Sequence, residues 1–207
     1  MITVGVTGGI GSGKSLICRI FTAMDIPVYE ADRRAETILN DDRDVQHALS
    51  GLLGEKIFRD GKPDKRLMAD IIFRDKEVLK KVNRIIHPAV LNDFILWKRQ
   101  YTFLPYVIHE AAILFESGAD KIMDFVITVY APVDMRIRRI MERDGVTASD
   151  VRIRMKNQWS EKKRQENADI VVYNDEKHLV IPQVLSIHKA LVKRAGNKIT
   201  ENKKWQD

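Results

Sequence analysis

Gly8-Gly9-Ile10-Gly11-Ser12-Gly13-Lys14-Ser15 stands directly behind an apolar run, Ile2-Thr3-Val4-Gly5-Val6, and ahead of an amphipathic stretch reaching about Met24. The spacing G-x-x-x-x-G-K-[ST] is what a loop needs to wrap a phosphate chain. Glycines admit the required backbone angles and the close approach of main-chain N–H groups. The helix that follows presents its N-terminus to the anion. Lys14 is placed to bridge β- and γ-phosphates and the Ser15 hydroxyl to ligate Mg²⁺. Gly9 to Leu16 are therefore the expected nucleotide contacts. An accidental glycine-rich turn would lack the strand before it and the helix after it.

Outward from this loop, further apolar runs predict parallel strands at Pro27–Tyr29, Tyr106–His109, Phe125–Tyr130 and Ile170–Val172. They alternate with amphipathic stretches, the pattern of an α/β sheet covered by helices on both faces. Between Ala31 and Tyr101 the strand signal vanishes and apolar residues recur at helical spacing, as in Val45, Leu49, Leu52 and Val90, Phe94, Trp97. An all-helical insertion, about 33–101, is expected there, with turns at Asp60-Gly61 and a boundary at His87-Pro88. A second helical excursion, from Val133 to about Ala168, is dense in Arg and Lys and reads as a helix followed by a mobile lid, about 139–165.

The 207 residues suit one domain carrying such an insertion. No apolar run approaches the roughly 20 residues that span a bilayer. The chain opens directly in a strand-like segment, and its single cysteine, Cys18, excludes an intrachain disulfide and a cysteine-based zinc cluster. A cytoplasmic protein is expected. The net charge of +6 and pI near 9.4 fit either a nucleic-acid partner or a polyanionic small molecule. The cations recur at Lys62–Arg66, Arg136–Arg143, Arg152–Lys156 and Lys162–Arg164, and most suit solvated helix faces. The polar stretch 193–207 reads as a frayed end.

Three sets of residues are candidates for chemistry beyond the loop. Asp32, just past the second strand, either accepts a proton from an attacking hydroxyl or caps the helix that begins near Arg33. Glu110, at the end of the third strand, is placed to hold Mg²⁺, and Glu116 to serve an acceptor pocket or a helix terminus. Arg136, Arg139 and Arg143 share a helix face, and Arg139 and Arg143 are the candidates for stabilising a phosphoryl-transfer transition state. His87 reads as a ligand contact or a satisfied buried histidine. Trp97 and Trp159 read as packing residues and His109 as structural.

These features together resemble the dephospho-coenzyme A kinases. The resemblance runs from Val4 to about Asn174. It rests on the glycine loop, Glu30-Ala31-Asp32, Asp60-Gly61 with Lys65-Arg66, Ile86-His87-Pro88, Ile113-Leu114-Phe115-Glu116, Arg139 with Arg143, Gln158, and Ala168-Asp169-Ile170-Val171-Val172 with Asn174. The resemblance implies a three-layer P-loop fold with five parallel strands in the order 2-3-1-4-5. It implies ATP and Mg²⁺ as cosubstrates and dephospho-coenzyme A as acceptor, with Asp32 as general base. Lys65, Arg66, His87 and Glu116 would bind the acceptor and Asn174 the nucleotide, in a monomer or weak homo-oligomer with no nucleic-acid or membrane partner. Glu30 stands where the family carries aspartate, Lys65 where it carries arginine, and Glu110-Ala111-Ala112 where it carries Asp-x-Pro. Other small-molecule P-loop kinases, for nucleoside monophosphates or sugar acids, and a nucleotide-regulated nucleic-acid-binding module are the competing readings.

Overall fold

The computed structural model describes residues 1–59 and 61–203, and the side chains of Lys65, Phe73, Arg74, Lys76 and 198–203 lie outside the described set. The chain divides into two compact units, one of residues 1–29 with 100–207 and one of residues 30–99.

In the first unit, β1 (Ile2–Thr7) leads through the glycine loop into α1 (Lys14–Thr22), and β2 (Val28–Glu30) follows. In the second unit come α2 (Ala31–Asp41), α3 (Arg43–Leu53), a short hairpin of β3 (Phe58–Arg59) and β4 (Lys62–Pro63), α4 (Lys65–Arg74) and α5 (Lys76–Lys98). The chain then returns to the first unit with β5 (Tyr106–Glu110), α6 (Leu114–Ser117), β6 (Phe125–Tyr130), α7 (Val133–Asp144), α8 (Ala148–Lys156), α9 (Glu161–Asn167), β7 (Ile170–Tyr173) and α10 (Val180–Lys203).

The five-stranded sheet runs β2-β5-β1-β6-β7. Counted among its own strands, that is the expected order 2-3-1-4-5. β1 is parallel to both β5 and β6, and β6 to β7. Every residue of β1 is buried. Strand alternation sends Ile2, Val4 and Val6 to one face, where they join Ile17, Cys18 and Phe21 of α1 and Val184, Ile187 and Leu191 of α10. On the opposite face Gly5 leaves room for Leu114, whose Cδ2 would lie 2.6 Å from a Cβ built there. Helices on both faces explain why these strands read as unbroken apolar runs. The register pairs Val6 with both Glu110 and Ile127, so the carboxyl ends of three strands converge beside the glycine loop.

The helical unit has its own core of Ile38, Val45, Leu49, Ile57, Met68 and Val82. Helices α3, α4 and α5 start on aspartates. Asp42 accepts from the N–H groups of Asp44 and Val45, Asp64 from that of Leu67, and Asp75 from those of Glu77 and Val78.

Three expectations need correction. The insertion is not all helical, because Phe58 pairs with Pro63 and Arg59 with Lys62 around Gly61, where φ is 74°; strands of two residues are too short to show a period. Asp60 of that turn lies outside the described residues. His87-Pro88 is no boundary, since α5 runs through Pro88 for 23 residues. An interior proline costs a helix roughly 3 kcal/mol. Ile85, Ile86, Ala89 and Val90, packed on the unit's core on both sides of an exposed Pro88, offset that cost. Finally, residues 193–203 continue α10 instead of fraying at Lys193, with Ala195 buried against the sheet core.

Candidate active site

The glycine loop owes its shape to backbone positions that only glycine holds without strain. Gly13, at φ 97° and ψ 25°, is the N-cap of α1, and a Cβ there would meet the Asn174 amide nitrogen at 2.1 Å. Gly9 is needed for a different reason. A Cβ on it would sit 2.1 Å from the Arg136 guanidinium and 2.7 Å from that of Arg164. At Gly9 the loop is thus backed by cations.

Lys14 reaches back over the loop, its Nζ 3.2 Å from the Gly8 carbonyl oxygen and 3.9 Å from Glu110 Oε1. Both side chains are about nine-tenths buried. Ser15 is exposed in the first turn of α1. Lysine, hydroxyl and carboxylate therefore lie at one end of the sheet, the arrangement that a triphosphate with its divalent ion requires. Among the described residues no three His, Cys, Asp or Glu side chains converge as a metal cage.

Asn174 buries its side chain under the loop, donating from Nδ2 to the Ser12 carbonyl at 2.8 Å. Arg139 donates from both terminal nitrogens to the Asn174 carbonyl at 3.3 Å. Arg136, Arg139 and Arg143, expected on one face of α7, have three different environments. Arg136 is buried and donates to the Ile10 carbonyl at 2.8 Å and to Glu161. Burial lowers its pKa from the usual arginine value, the Glu161 carboxylate opposes that shift, and neighbouring Arg164 adds to it. Arg139 is partly exposed. Arg143 is exposed and forms a fork with Asp144, which also holds Arg154 at 3.0 Å.

Arg164, from the cation cluster Lys162–Arg164 that suits a solvated helix face, is instead fully buried and pairs with Glu161 at 2.9 Å. A single arginine in the polar run Glu161–Asn167 gives no hint of burial. Glu116 lies against the protein's own backbone, its Oε1 accepting from the Trp159 N–H at 2.7 Å. Trp159 stacks on Phe115 at 5.2 Å with Lys163 3.5 Å above its ring, so it is a packing residue, as expected. His109 is buried and stacked on Tyr29, and burial lowers its pKa to about 4.

In the helical unit, Asp32 is exposed in the first turn of α2 and is not its cap; Glu30 holds that position and makes no side-chain capping bond. The capping alternative for Asp32 therefore falls away. Arg66 is exposed on the first turn of α4, and the Lys65 side chain lies outside the described residues. His87 is half-buried in α5, with its pKa lowered by burial.

The profile of the dephospho-CoA kinase family matches residues 2–179. The chain belongs to the dephospho-CoA kinase family. It is 42% identical over 188 residues to the dephospho-CoA kinase of Porphyromonas gingivalis, covering 90% of this chain and 93% of that one. It is 36% identical to that of Bacteroides fragilis, covering 90% and 91%. A crystal structure of a Thermus thermophilus protein superposes with a TM-score of 0.79 at 27% identity, covering 93% of this chain and 97% of that chain. A dephospho-CoA kinase from Campylobacter jejuni, at 23% identity and a TM-score of 0.69, shares the fold. The kinase is accordingly a P-loop enzyme that works with ATP. Among the described residues no helix is long and apolar enough to cross a membrane.

Proposed function

We propose that this kinase transfers the γ-phosphoryl group of ATP to the ribose 3′-hydroxyl of dephospho-coenzyme A, yielding ADP and coenzyme A. The observation that carries this reading is the family match across residues 2–179, which takes in the glycine loop, the helical unit and the arginine-bearing helices.

In this reading the main-chain N–H groups from Gly9 to Leu16 cradle the phosphates, and Lys14 neutralises charge between the β- and γ-groups. Ser15 and Glu110 would hold Mg²⁺, which supplies Lewis-acid neutralisation of the triphosphate when bound. Asp32, a carboxylate two residues beyond β2, takes the proton from the attacking hydroxyl. Arg139 and Arg143 stabilise the charge that spreads over the transferring phosphoryl oxygens. Asn174 supports the nucleotide by bracing the loop beneath it. Arg66 and His87, with Lys65, bind the anionic acceptor, and Glu116 contributes by anchoring Trp159. The partners are small molecules, and the kinase works in the cytoplasm as a monomer or weak homo-oligomer.

An acceptor panel with ATP and Mg²⁺ tests the reading. Dephospho-coenzyme A should yield coenzyme A by mass spectrometry, while nucleoside monophosphates, shikimate and gluconate should yield no phosphorylated product. Turnover of a nucleoside monophosphate without turnover of dephospho-coenzyme A would refute it.

A further inference from the structure

Gln158 lies in the short connection between α8 and α9 and makes two hydrogen bonds to distant backbone. Its Oε1 accepts from the N–H of Ile10, in the arch of the glycine loop, at 2.8 Å. Its Nε2 donates to the carbonyl oxygen of Ala112, in the loop that follows β5, at 3.1 Å. These partners fix the orientation of the amide, because only the oxygen accepts and only the nitrogen donates.

The peptide groups of Ile10 are held on both sides. Its carbonyl takes the Arg136 bond, its N–H takes Gln158, and its side chain packs with Ile137, Ile140 and Val151. Glycines flank it at 9 and 11, so without these contacts the arch would sample many conformations. Ordering such a loop on binding would reduce affinity, whereas a loop already in place avoids that loss. The other end of the staple matters as much. Ala112 is two residues beyond Glu110, whose carboxylate faces Lys14. Trp159, next in sequence, is seated by its bond to Glu116 and its stack on Phe115, so Gln158 projects from a fixed base.

We propose that Gln158 is a positioning residue for ATP, its side-chain amide holding the arch of the glycine loop at a set distance from the loop behind Glu110. The proposal rests on the reading that the glycine loop holds ATP, but not on the identity of the acceptor. It is therefore tested by calorimetric titration of ATP without acceptor, so that failure of the dephospho-coenzyme A assignment would leave the result interpretable. Gln158→Met keeps the length and bulk of the side chain and loses both hydrogen bonds. It should weaken ATP binding by about ten-fold, the loss expected for two modest hydrogen bonds and a loosened loop, and leave the KM for the acceptor unchanged. Hydrogen exchange at the Ile10 amide should speed up in the same variant. A merely structural Gln158 would lower the unfolding temperature while the folded protein kept its ATP dissociation constant within two-fold, and that outcome overturns the proposal. Gln158→Glu provides a second test should the methionine variant fail to fold. Its ionised carboxylate accepts from Ile10 but repels the Ala112 carbonyl, whereas its protonated form donates there. Its ATP affinity relative to the starting protein should therefore recover as pH falls; a pH-independent ratio overturns the proposal.

Discussion

Arg136 in the sheet-bearing unit and Arg34 in the helical unit each pair with an acidic side chain, yet their surroundings differ sharply. The Arg136 side chain is 3% exposed and Glu161 18%, and the pair sits behind the glycine loop with Arg164 as a third member. Arg34 is 40% exposed and Asp93 24%, joining α2 to α5 in a unit with its own apolar core. The same chemistry serves different ends. Around the phosphate loop, polar groups are buried because they hold backbone in place: Arg136 at Ile10, Asn174 at Ser12, Gln158 at Ile10 and Ala112. In the helical unit the aliphatic residues hold the elements, and charged residues such as Asp32 and Arg66 remain exposed. One unit is built in advance for an anion, and the other keeps its polar residues on the outside.

The largest expected effect separates the two units by function. Lys14→Ala should reduce kcat by about 10³-fold or more, since it removes the cation proposed to neutralise the transferring phosphates, and should also weaken ATP binding. Asp32→Asn should reduce kcat by about 10²- to 10⁴-fold, the range for removing the proposed general base, with the ATP dissociation constant within about three-fold of the starting value. Steady-state kinetics together with calorimetry distinguish the two. An Asp32→Asn protein that loses ATP affinity as Lys14→Ala does would break the division.

Next comes the buried pair. Arg136→Met removes one cation from beside Glu161, strips the Ile10 carbonyl of its donor and should cost about 3 kcal/mol of stability in urea unfolding. That Arg164 still faces Glu161 keeps the figure at the lower end of the usual range for a broken buried pair. A loss below about 1 kcal/mol would mean that the cluster behind the loop is no more demanding than a surface pair.

A smaller effect follows from His109. Burial holds its pKa at about 4, against an ordinary 6.5, so the folded protein keeps the ring neutral where the unfolded chain takes up a proton. Stability is then fully present above about pH 6.5 and is lost as pH falls toward 4. At pH 5 the loss from this group is about 2 kcal/mol. His109→Gln should flatten that part of the stability–pH curve in urea titrations at pH 5 and pH 7. His87 is shifted in the same direction by its own burial in the helical unit, so part of the slope should persist in the His109 variant.

Much of this organisation is readable from the sequence because it is local. Gly8 to Ser15 declares itself by spacing, the sheet by its apolar runs and the insertion by its helical period. What stayed hidden depends on long-range partners. Arg136 and Arg143 look equivalent on a helical wheel, but one finds Ile10 and Glu161 and the other finds its neighbour Asp144. Arg164 carries no mark of burial in the run Glu161–Asn167, and Pro88 looks like a breaker until the packing on both sides of it is known. Gln158 could be recognised as part of the family pattern, yet its task became readable only when Ile10 and Ala112 were seen on either side of its amide.

The smallest expected effect returns to Arg34 and Asp93. Their fork is well formed, with Arg34 Nε 2.8 Å from Oδ2 and a second guanidinium nitrogen on Oδ1. Good geometry alone does not make a strong pair when water reaches both members. A double-mutant cycle with Arg34→Ala and Asp93→Ala should give a coupling of about 0.5 kcal/mol, and at most about 1. That coupling should shrink in 1 M salt, where the screening length falls to about 3 Å. The matching cycle on Arg136 and Glu161 should give a larger coupling that salt barely changes, because ions do not enter the space behind the loop. If both couplings fall together with salt, water reaches the loop's backing, and the contrast between a prebuilt phosphate site and a surface-charged helical unit loses its physical basis.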